Sequence, residues 1–151
     1  MERRQTVASQ WLIVDGPPDI RLWDAIRRLP RGSGVLAICR LSPAEMRRLL
    51  RLASLRELTI ALEARRAAAR VHNVHELSRA LLHRPPLLLI SPLYPTRSHP
   101  DWKPLPRMRA ATLARLTGRQ AVALGGMNRG RYAKIAQLGF IAWAGISAFR
   151  T

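Results

Sequence analysis

The sequence has 151 residues, of which 48% are hydrophobic, and 26 lysines and arginines against nine acidic residues give a formal net charge of +17. This length suits a domain with its own hydrophobic core, and the apolar content excludes an intrinsically disordered chain. The single Cys39 excludes an internal disulfide, and its apolar neighbours favour a buried, inert thiol in a reducing, cytoplasmic setting. The longest apolar stretch, residues 135–149, is interrupted and falls short of the ~20 residues that a spanning helix needs. We therefore expect no membrane association.

The N-terminal half alternates short apolar runs with amphipathic segments. Between the first two runs, Asp19 is a candidate helix cap that precedes apolar residues at helical spacing. Residues 42–45 (SPAE) match a capping box with proline at the first helical position, which predicts the start of a second helix. Glu63 ends the third run. The apolar runs predict buried strands at 11–14, 35–39 and 58–62.

Two transitions from strand to loop dominate the C-terminal half. Residues 87–100 (LLLISPLYPTRSHP) and 121–128 (AVALGGMN) each begin as an apolar run and then break into polar, proline-rich or glycine-rich loops. Such runs are typical of strands in a parallel sheet, where binding sites lie at the carboxyl ends of the strands. The hydroxyls of Thr96 and Ser98 and the backbone amides of the Gly125–Gly126 pair suit an anion. The sequence therefore predicts a phosphate site where these loops meet.

The remaining segments complete an alternation of strands and helices. His72 and His75 have no second pair of metal ligands near them in sequence, and we interpret them as structural. Strand and helix alternate without a hairpin signal, which predicts an α/β fold with a parallel sheet of six or seven strands. No repeat or linker divides residues 1–151, so we expect a single domain. The other predicted elements are a helical link at 64–70, a strand at 71–74, helices at 76–82, 108–116 and 129–138, and a last strand at 140–144.

Three segments of the C-terminal half resemble the thiamine phosphate synthase/TenI family. SPLYPTRSHP (91–100), AVALGGM (121–127) and GFIAWAGISAF (139–149) are similar to the family's SPVFPTxS(H or K)P, AIGGM and GADGIAVISAI, in the same order and spacing. The resemblance covers residues 71–149, about half of the chain, and is faint before them. It implies a TIM-barrel-like (β/α)₈ fold, shortened here to about six or seven strands. It also implies thiamine biosynthesis, in which family synthases join a pyrimidine diphosphate to thiazole phosphate with Mg²⁺.

The same resemblance assigns roles to individual residues. Arg40 matches the arginine that ends the second strand, where a planar guanidinium would clamp a diphosphate. His99 stands at the position that is histidine in the TenI-like branch, where an imidazole would act as acid or base. These two are the candidate catalytic residues. The candidate phosphate contacts are the hydroxyls of Thr96 and Ser98 and the backbone amides at Gly125, Gly126, Ile146 and Ser147.

The magnesium ligands of the family synthases have no full counterpart in this chain. The Asn-Asp pair that follows strand three in the family is replaced by residues 61–64 (ALEA), which leaves Glu63 as the candidate metal ligand. Residues 71–74 contain no match to the second aspartate. The chain is also short for eight strands, and we place a missing strand and helix between Arg66 and Leu87. Mg²⁺ on a diphosphate takes one or two carboxylates, so the resemblance implies Mg²⁺ as a cofactor while the sequence offers Glu63 alone to hold it.

Three functions remain open at this stage. The first is an active family enzyme, a synthase or a TenI-like thiazole tautomerase, acting on phosphorylated thiazole or pyrimidine compounds. The second is a degenerate, non-catalytic relative, a pseudoenzyme that binds a phosphorylated ligand. The third is an arginine-rich RNA-binding protein, which the basic charge favours but the scattered arginines and few aromatics disfavour. A homodimer is one way in which a shortened barrel would be completed.

Overall fold

A computed structural model describes residues 7–118 and 120–150. Residues 1–6, Arg119 and Thr151, which belong to the predicted domain 1–151, lie outside the described residues. Three 3₁₀ turns, at Glu63–Arg65, Ala136–Leu138 and Ser147–Phe149, supplement the regular elements. These elements are β1 (Gln10–Val14), α1 (Ile20–Arg28), β2 (Gly34–Ala37), α2 (Pro43–Arg56), β3 (Thr59–Leu62), β4 (Ala68–Val71), α3 (Val74–Leu81), β5 (Leu87–Ile90), α4 (Arg107–Leu116), β6 (Ala121–Ala123), α5 (Arg129–Ile135) and β7 (Ala142–Gly145).

The seven strands form one sheet in the order β3-β2-β1-β7-β6-β5-β4, and every neighbouring pair is parallel. The first and last strands are neighbours, as in a closed barrel, and the sheet curls so that its inner face packs on itself. The predicted fold class is confirmed: this is a TIM-barrel-like α/β fold with seven strands. In the described ranges, no helix is both long and apolar enough to span a bilayer. The inner cluster includes Trp11, Ile13, Leu36, Ala61, Ala68, Leu87, Leu89, Val122, Ala142 and Ala144.

The barrel is interrupted between β3 and β4, which are the two edge strands of the sheet. Only residues 63–67 join them, and three of these form a 3₁₀ turn. Adjacent parallel strands need a crossover of about a dozen residues or more, so a link of this length prevents β3 and β4 from pairing. The prediction placed a missing strand and helix between Arg66 and Leu87. The interruption lies at residues 63–67, at the start of that interval, and β4 and α3 occupy the remainder of it.

The interior of the barrel combines one tryptophan with aliphatic side chains and several alanines. Trp11 is only 3% exposed, and its indole nitrogen donates a hydrogen bond to the Ala8 carbonyl at 3.0 Å. It lies opposite Gly34 in the β1–β2 register, and a Cβ on Gly34 would overlap the indole ring. Four of the other inward positions are alanines. Because fewer strands enclose a narrower interior, small residues around one tryptophan allow the sheet to curl tightly.

Local signals in the sequence set the helix starts. Asp19 caps α1 by accepting a hydrogen bond from the Leu22 amide at 2.8 Å. The capping box of α2 is complete: the Ser42 hydroxyl accepts from the Glu45 amide, and the Glu45 carboxylate accepts from the Ser42 amide. Cys39 departs from the expectation of a buried thiol because it is only partly buried. Its Sγ donates to the Gly16 carbonyl at 3.4 Å.

Candidate functional site

The loops that follow β5 and β6 are joined by backbone hydrogen bonds beyond the ends of their strands. The Leu93 amide donates to the Leu124 carbonyl at 2.9 Å, and the Tyr94 amide donates to the Gly125 carbonyl at 3.1 Å. This close approach requires glycine. Gly125 has a φ of +96°, and a Cβ on it would lie 2.7 Å from the Cα of Pro92. The glycines therefore serve loop packing, and that packing shapes the surface above them.

A cavity of about 450 Å³ lies where the loops after β5, β6 and β7 meet. We call it the loop cavity. All six residues predicted to hold phosphate line it, and Ser98 and Gly126, which are 28 positions apart in sequence, face the same space. Their contact with phosphate stays a prediction, but the structure brings them together. The full lining is Pro95, Thr96, Arg97, Ser98, Leu124, Gly125, Gly126, Met127, Asn128, Arg131, Gly145, Ile146, Ser147 and Ala148.

The loop cavity has a positive lining. Arg97 and Arg131 contribute to it, and no aspartate or glutamate is among the lining residues. In the described part of the chain, no backbone carbonyl accepts a hydrogen bond from the amide of Gly125 or Gly126. Backbone N–H groups without protein acceptors, next to guanidinium groups, are the donors that bind phosphate or carboxylate oxygens. The arrangement suits an anion.

Arg131 is one of the site residues that the sequence reasoning missed. Its Nη1 donates to the Gly126 carbonyl, and its guanidinium lies 4.7 Å from the centre of the Tyr94 ring. Its backbone amide donates to the Asn128 side chain, which caps α5. The available signal was its position in the first turn of the helix that follows the Gly125–Gly126 loop. Arg131 therefore ties both loops together while carrying positive charge into the cavity wall.

A second, narrower cavity of about 80 Å³ adjoins the first, and we call it the inner cavity. The two cavities share five lining residues, including Thr96 and Ser98. His99 lines the inner cavity, where its ring stacks on Trp102 with centroids 4.1 Å apart and planes 11° apart. The rest of the lining is Ile13, Ile38, Arg70, His72, Ser91, Pro92, Trp102, Leu124, Gly125 and Ile146.

His72 also lines the inner cavity, which its interpretation as a structural residue did not anticipate. Its Nδ1 lies 2.8 Å from Oε2 of Glu76, and its backbone amide donates to the same oxygen at 2.7 Å. Its ring packs against the edge of Trp102 with centroids 5.2 Å apart. Desolvation by burial tends to raise the pKa of Glu76, but the hydrogen bonds from His72 outweigh it and lower that pKa. The sequence offered one signal of the pairing between His72 and Glu76, because these residues are four positions apart.

The structure does not bring Arg40 or Glu63 to either cavity. Arg40 is exposed and is absent from both linings. Glu63 forms an ion pair with Arg70, with Oε1 3.1 Å from Nε, and lines a separate groove beside His83. Across residues 7–118 and 120–150, no group of three or more histidine, cysteine or acidic residues is placed to hold a metal ion. The residues present do not fit a magnesium–diphosphate site, and the interpretation of Glu63 as a metal ligand has no geometric support.

No family model matches this sequence, and no curated protein is significantly similar to it. Thiamine phosphate pyrophosphorylase from Pyrococcus furiosus matches the structure with a TM-score of 0.74, over 97% of this chain and 90% of that chain, at 14% identity. The likeness is one of fold. FabK from Thermotoga maritima matches more weakly, with a TM-score of 0.47 at 13% identity over 92% of this chain and 42% of that chain. The protein therefore shares the barrel fold of the thiamine phosphate pyrophosphorylase.

Proposed function

We propose that the protein binds a small phosphorylated ring compound of thiamine biosynthesis, thiazole phosphate in the first instance, with the phosphate in the loop cavity. The observation that carries the proposal is the convergence of three loops on one cavity lined by Thr96, Ser98 and the Gly125–Gly126 pair. Hydroxyls, free amides and guanidinium groups, without a carboxylate among them, form a lining that attracts a phosphate dianion.

Of the two family reactions, a tautomerisation of the TenI type fits this site better than coupling to a diphosphate. Coupling depends on Mg²⁺ and on carboxylates that hold it beside the diphosphate, and the donor set at the inner cavity does not supply them. Tautomerisation needs groups that accept and return a proton near neutral pH, which imidazoles do. His99 lines the inner cavity, which adjoins the loop cavity, and this supports the proposal that it exchanges the proton with the ring of the ligand.

A binding experiment tests the phosphate site directly. Calorimetric titration with thiazole phosphate and with the corresponding thiazole alcohol should show binding of the phosphorylated compound and about a tenfold or greater loss without the phosphate. Ser98→Ala should weaken binding, whereas Ser54→Ala, at an exposed position of α2, should not. Equal affinity for the two compounds would contradict the proposal.

A non-catalytic binder is the second candidate, and the positions of Arg40 and Glu63 outside both cavities favour it. Complementation separates the candidates: rescue of a thiamine auxotroph that lacks the synthase requires coupling activity, and rescue of one that lacks a thiazole tautomerase requires tautomerisation. Rescue of the second strain that is lost in His99→Ala would support the enzyme. Measurable thiazole phosphate binding without rescue of either strain would support the binder.

A further inference from the structure

Helices α4 and α5 carry positive charge with no negative charge among it. Together they contain six lysines and arginines, and residues 102–151 contain no aspartate or glutamate. Of the six, only Arg131 lines one of the two cavities, so the other five have no part in the proposed phosphate site. These five side chains are exposed, and we call them the basic surface: Arg107, Arg109, Arg115, Arg129 and Lys134.

The two helices lie side by side, so that residues scattered in sequence share one face of the molecule. Nη2 of Arg107, at the start of α4, donates to the carbonyl of Lys134, near the end of α5, at 2.9 Å. Gly139 approaches α4 so closely that a Cβ on it would lie 3.6 Å from the Ala114 Cβ. The first turn of α5 also carries Arg131 into the wall of the loop cavity. The basic surface therefore extends from the edge of that cavity along the outside of α4 and α5.

No acidic side chain neutralises the basic surface. Among the described residues, the ion pairs involve Arg27, Arg31, Arg70, His72 and Arg150, and none involves a residue of the basic surface. Helices α1 and α2, by contrast, include acidic residues among their arginines. A surface of a single sign produces a strong local potential, which attracts ions and polymers of the opposite charge.

The residues around these charges favour nucleic acid over other polyanions. A helix that lies on an anionic membrane turns its apolar face outward. The apolar face of α4 is buried in the core instead, and its exposed Met108 and Leu116 are eight positions apart. A protein partner gains much of its affinity from aromatic or apolar anchors, and α5 exposes no large apolar side chain. Contacts with phosphates require only the arginine and lysine side chains.

The basic surface also lacks a ring on which an unpaired base could stack. Helix α4 contains no aromatic residue. Tyr132, the aromatic residue of α5, is half-buried, and its hydroxyl donates to the Phe140 carbonyl at 3.2 Å. Proteins that bind single strands stack bases on such rings, whereas the backbone of a duplex is bound through its phosphates. Four of the five side chains are arginines, whose planar guanidinium matches phosphate oxygens.

We propose that the basic surface binds the phosphodiester backbone of a nucleic-acid duplex, independently of base sequence. This binding goes beyond the proposed function, because the five side chains lie outside both cavities. Each phosphate contact contributes about −0.9 to the slope of log affinity against log salt concentration. If each of the five side chains contacts one phosphate, the slope is about −4.5, and affinity falls on the order of a hundredfold or more between 50 and 200 mM salt.

Fluorescence anisotropy with labelled duplexes tests the proposal. Two DNA duplexes of unrelated sequence should bind with affinities within about threefold of each other, and both should show the steep salt dependence. RNA duplexes of the same two sequences identify which form of duplex binds more tightly. A marked preference for one sequence, or affinity that does not change with salt, would overturn the proposal.

A triple variant locates the binding surface. Arg109→Gln, Arg115→Gln and Arg129→Gln together remove three exposed charges that form no ion pair among the described residues. This variant should weaken duplex binding about tenfold or more and make the salt slope shallower by about 2.7. Its affinity for inorganic phosphate should match that of the wild-type protein, because the lining of the loop cavity is unchanged.

A second triple variant is the matched control for net charge. Arg28→Gln, Arg47→Gln and Arg51→Gln remove the same charge from exposed positions of α1 and α2, and they should leave the salt slope nearly unchanged. Equal losses in the two triple variants would assign the binding to net charge and overturn the proposal. Tighter binding to polyglutamate, to phosphatidylserine vesicles or to a single strand of the same length would also overturn it. Failure of inorganic phosphate to bind the wild-type protein would contradict the proposed function alone.

Discussion

Gly126 and the carbonyl of Pro95 lie so close that a Cβ on Gly126 would overlap the Pro95 oxygen. Gly126 also has a φ of +58°, in the left-handed region that favours glycine. We expect Gly126→Ala to separate the two loops, to destabilise the fold by about 1–3 kcal/mol and to weaken phosphate binding. Thermal unfolding and calorimetry measure the two effects.

Gly130→Ala is the matched control for Gly126→Ala. Its Cβ would meet only the Asn128 side chain at 3.5 Å, an ordinary contact, and alanine is favoured over glycine inside a helix. This variant should keep or slightly raise the melting temperature and should bind phosphate normally. If both alanine variants behave alike, the contact between Gly126 and Pro95 does not hold the cavity together.

Arg131 provides a test of the charge in the loop cavity. Arg131→Ala removes a guanidinium from the lining and the hydrogen bond to the Gly126 carbonyl. We expect about a tenfold loss in affinity for inorganic phosphate, because hydrogen bonds to charged groups contribute about 1.5–3 kcal/mol. Arg129→Ala changes an exposed arginine of the same helix outside the lining, and it should leave affinity nearly unchanged. Equal losses would indicate a general effect of net charge.

The capping box of α2 predicts a stability effect remote from both cavities. Ser42→Ala removes the hydroxyl that accepts from the Glu45 amide at 3.2 Å. The free energy of unfolding should fall by about 1 kcal/mol, with phosphate affinity unchanged. Ser54→Ala on the exposed face of the same helix should have no such cost. Denaturant titration checks both variants, and an unchanged midpoint for Ser42→Ala would contradict the role of the cap.

The lowered pKa of Glu76 predicts that the stability of the protein depends on pH. Burial acts to raise the pKa of Glu76, but hydrogen bonds from His72 lower it below the ordinary value of 4.5. A depressed carboxylate pKa contributes stability that is present above pH 4.5 and is lost as pH falls through the pKa of the folded state. The difference in unfolding free energy between wild type and Glu76→Gln should therefore shrink below that pH. A difference that grows on acidification would refute the assignment.

Magnesium should have little effect on this site. The described residues place no cluster of carboxylates beside the cavities. We therefore expect millimolar Mg²⁺ to leave the affinity for thiazole phosphate unchanged and to cause no increase in the affinity for pyrophosphate. Calorimetry with Mg²⁺ and with a chelator provides the comparison. Strong Mg²⁺-dependent binding of pyrophosphate would return the coupling reaction to consideration.

Much of this architecture follows from sequence patterns that act locally. Asp19 and Ser42 start helices because their side chains bond backbone groups three residues away, so the signal and its effect lie in one short segment. Short apolar runs marked the strands, and the alternation with helices implied the parallel sheet that the structure contains. The strand of this region was predicted at 71–74 but lies at Ala68–Val71, about three residues earlier. Its sequence has no strong alternation of apolar and polar residues that would locate it.

The sequence by itself determined the order of strands and helices and the loops that would meet at the carboxyl ends of the strands, because periodicity and turn chemistry are local properties. Only the tertiary structure decided where the barrel stays open, that Arg131 enters the cavity wall, and that Glu63 pairs with Arg70. It also decided that His72 and His99 line one cavity and that both of their rings pack against Trp102. These relationships depend on how far the sheet curls and on side chains distant in sequence, and no local pattern encodes such distances.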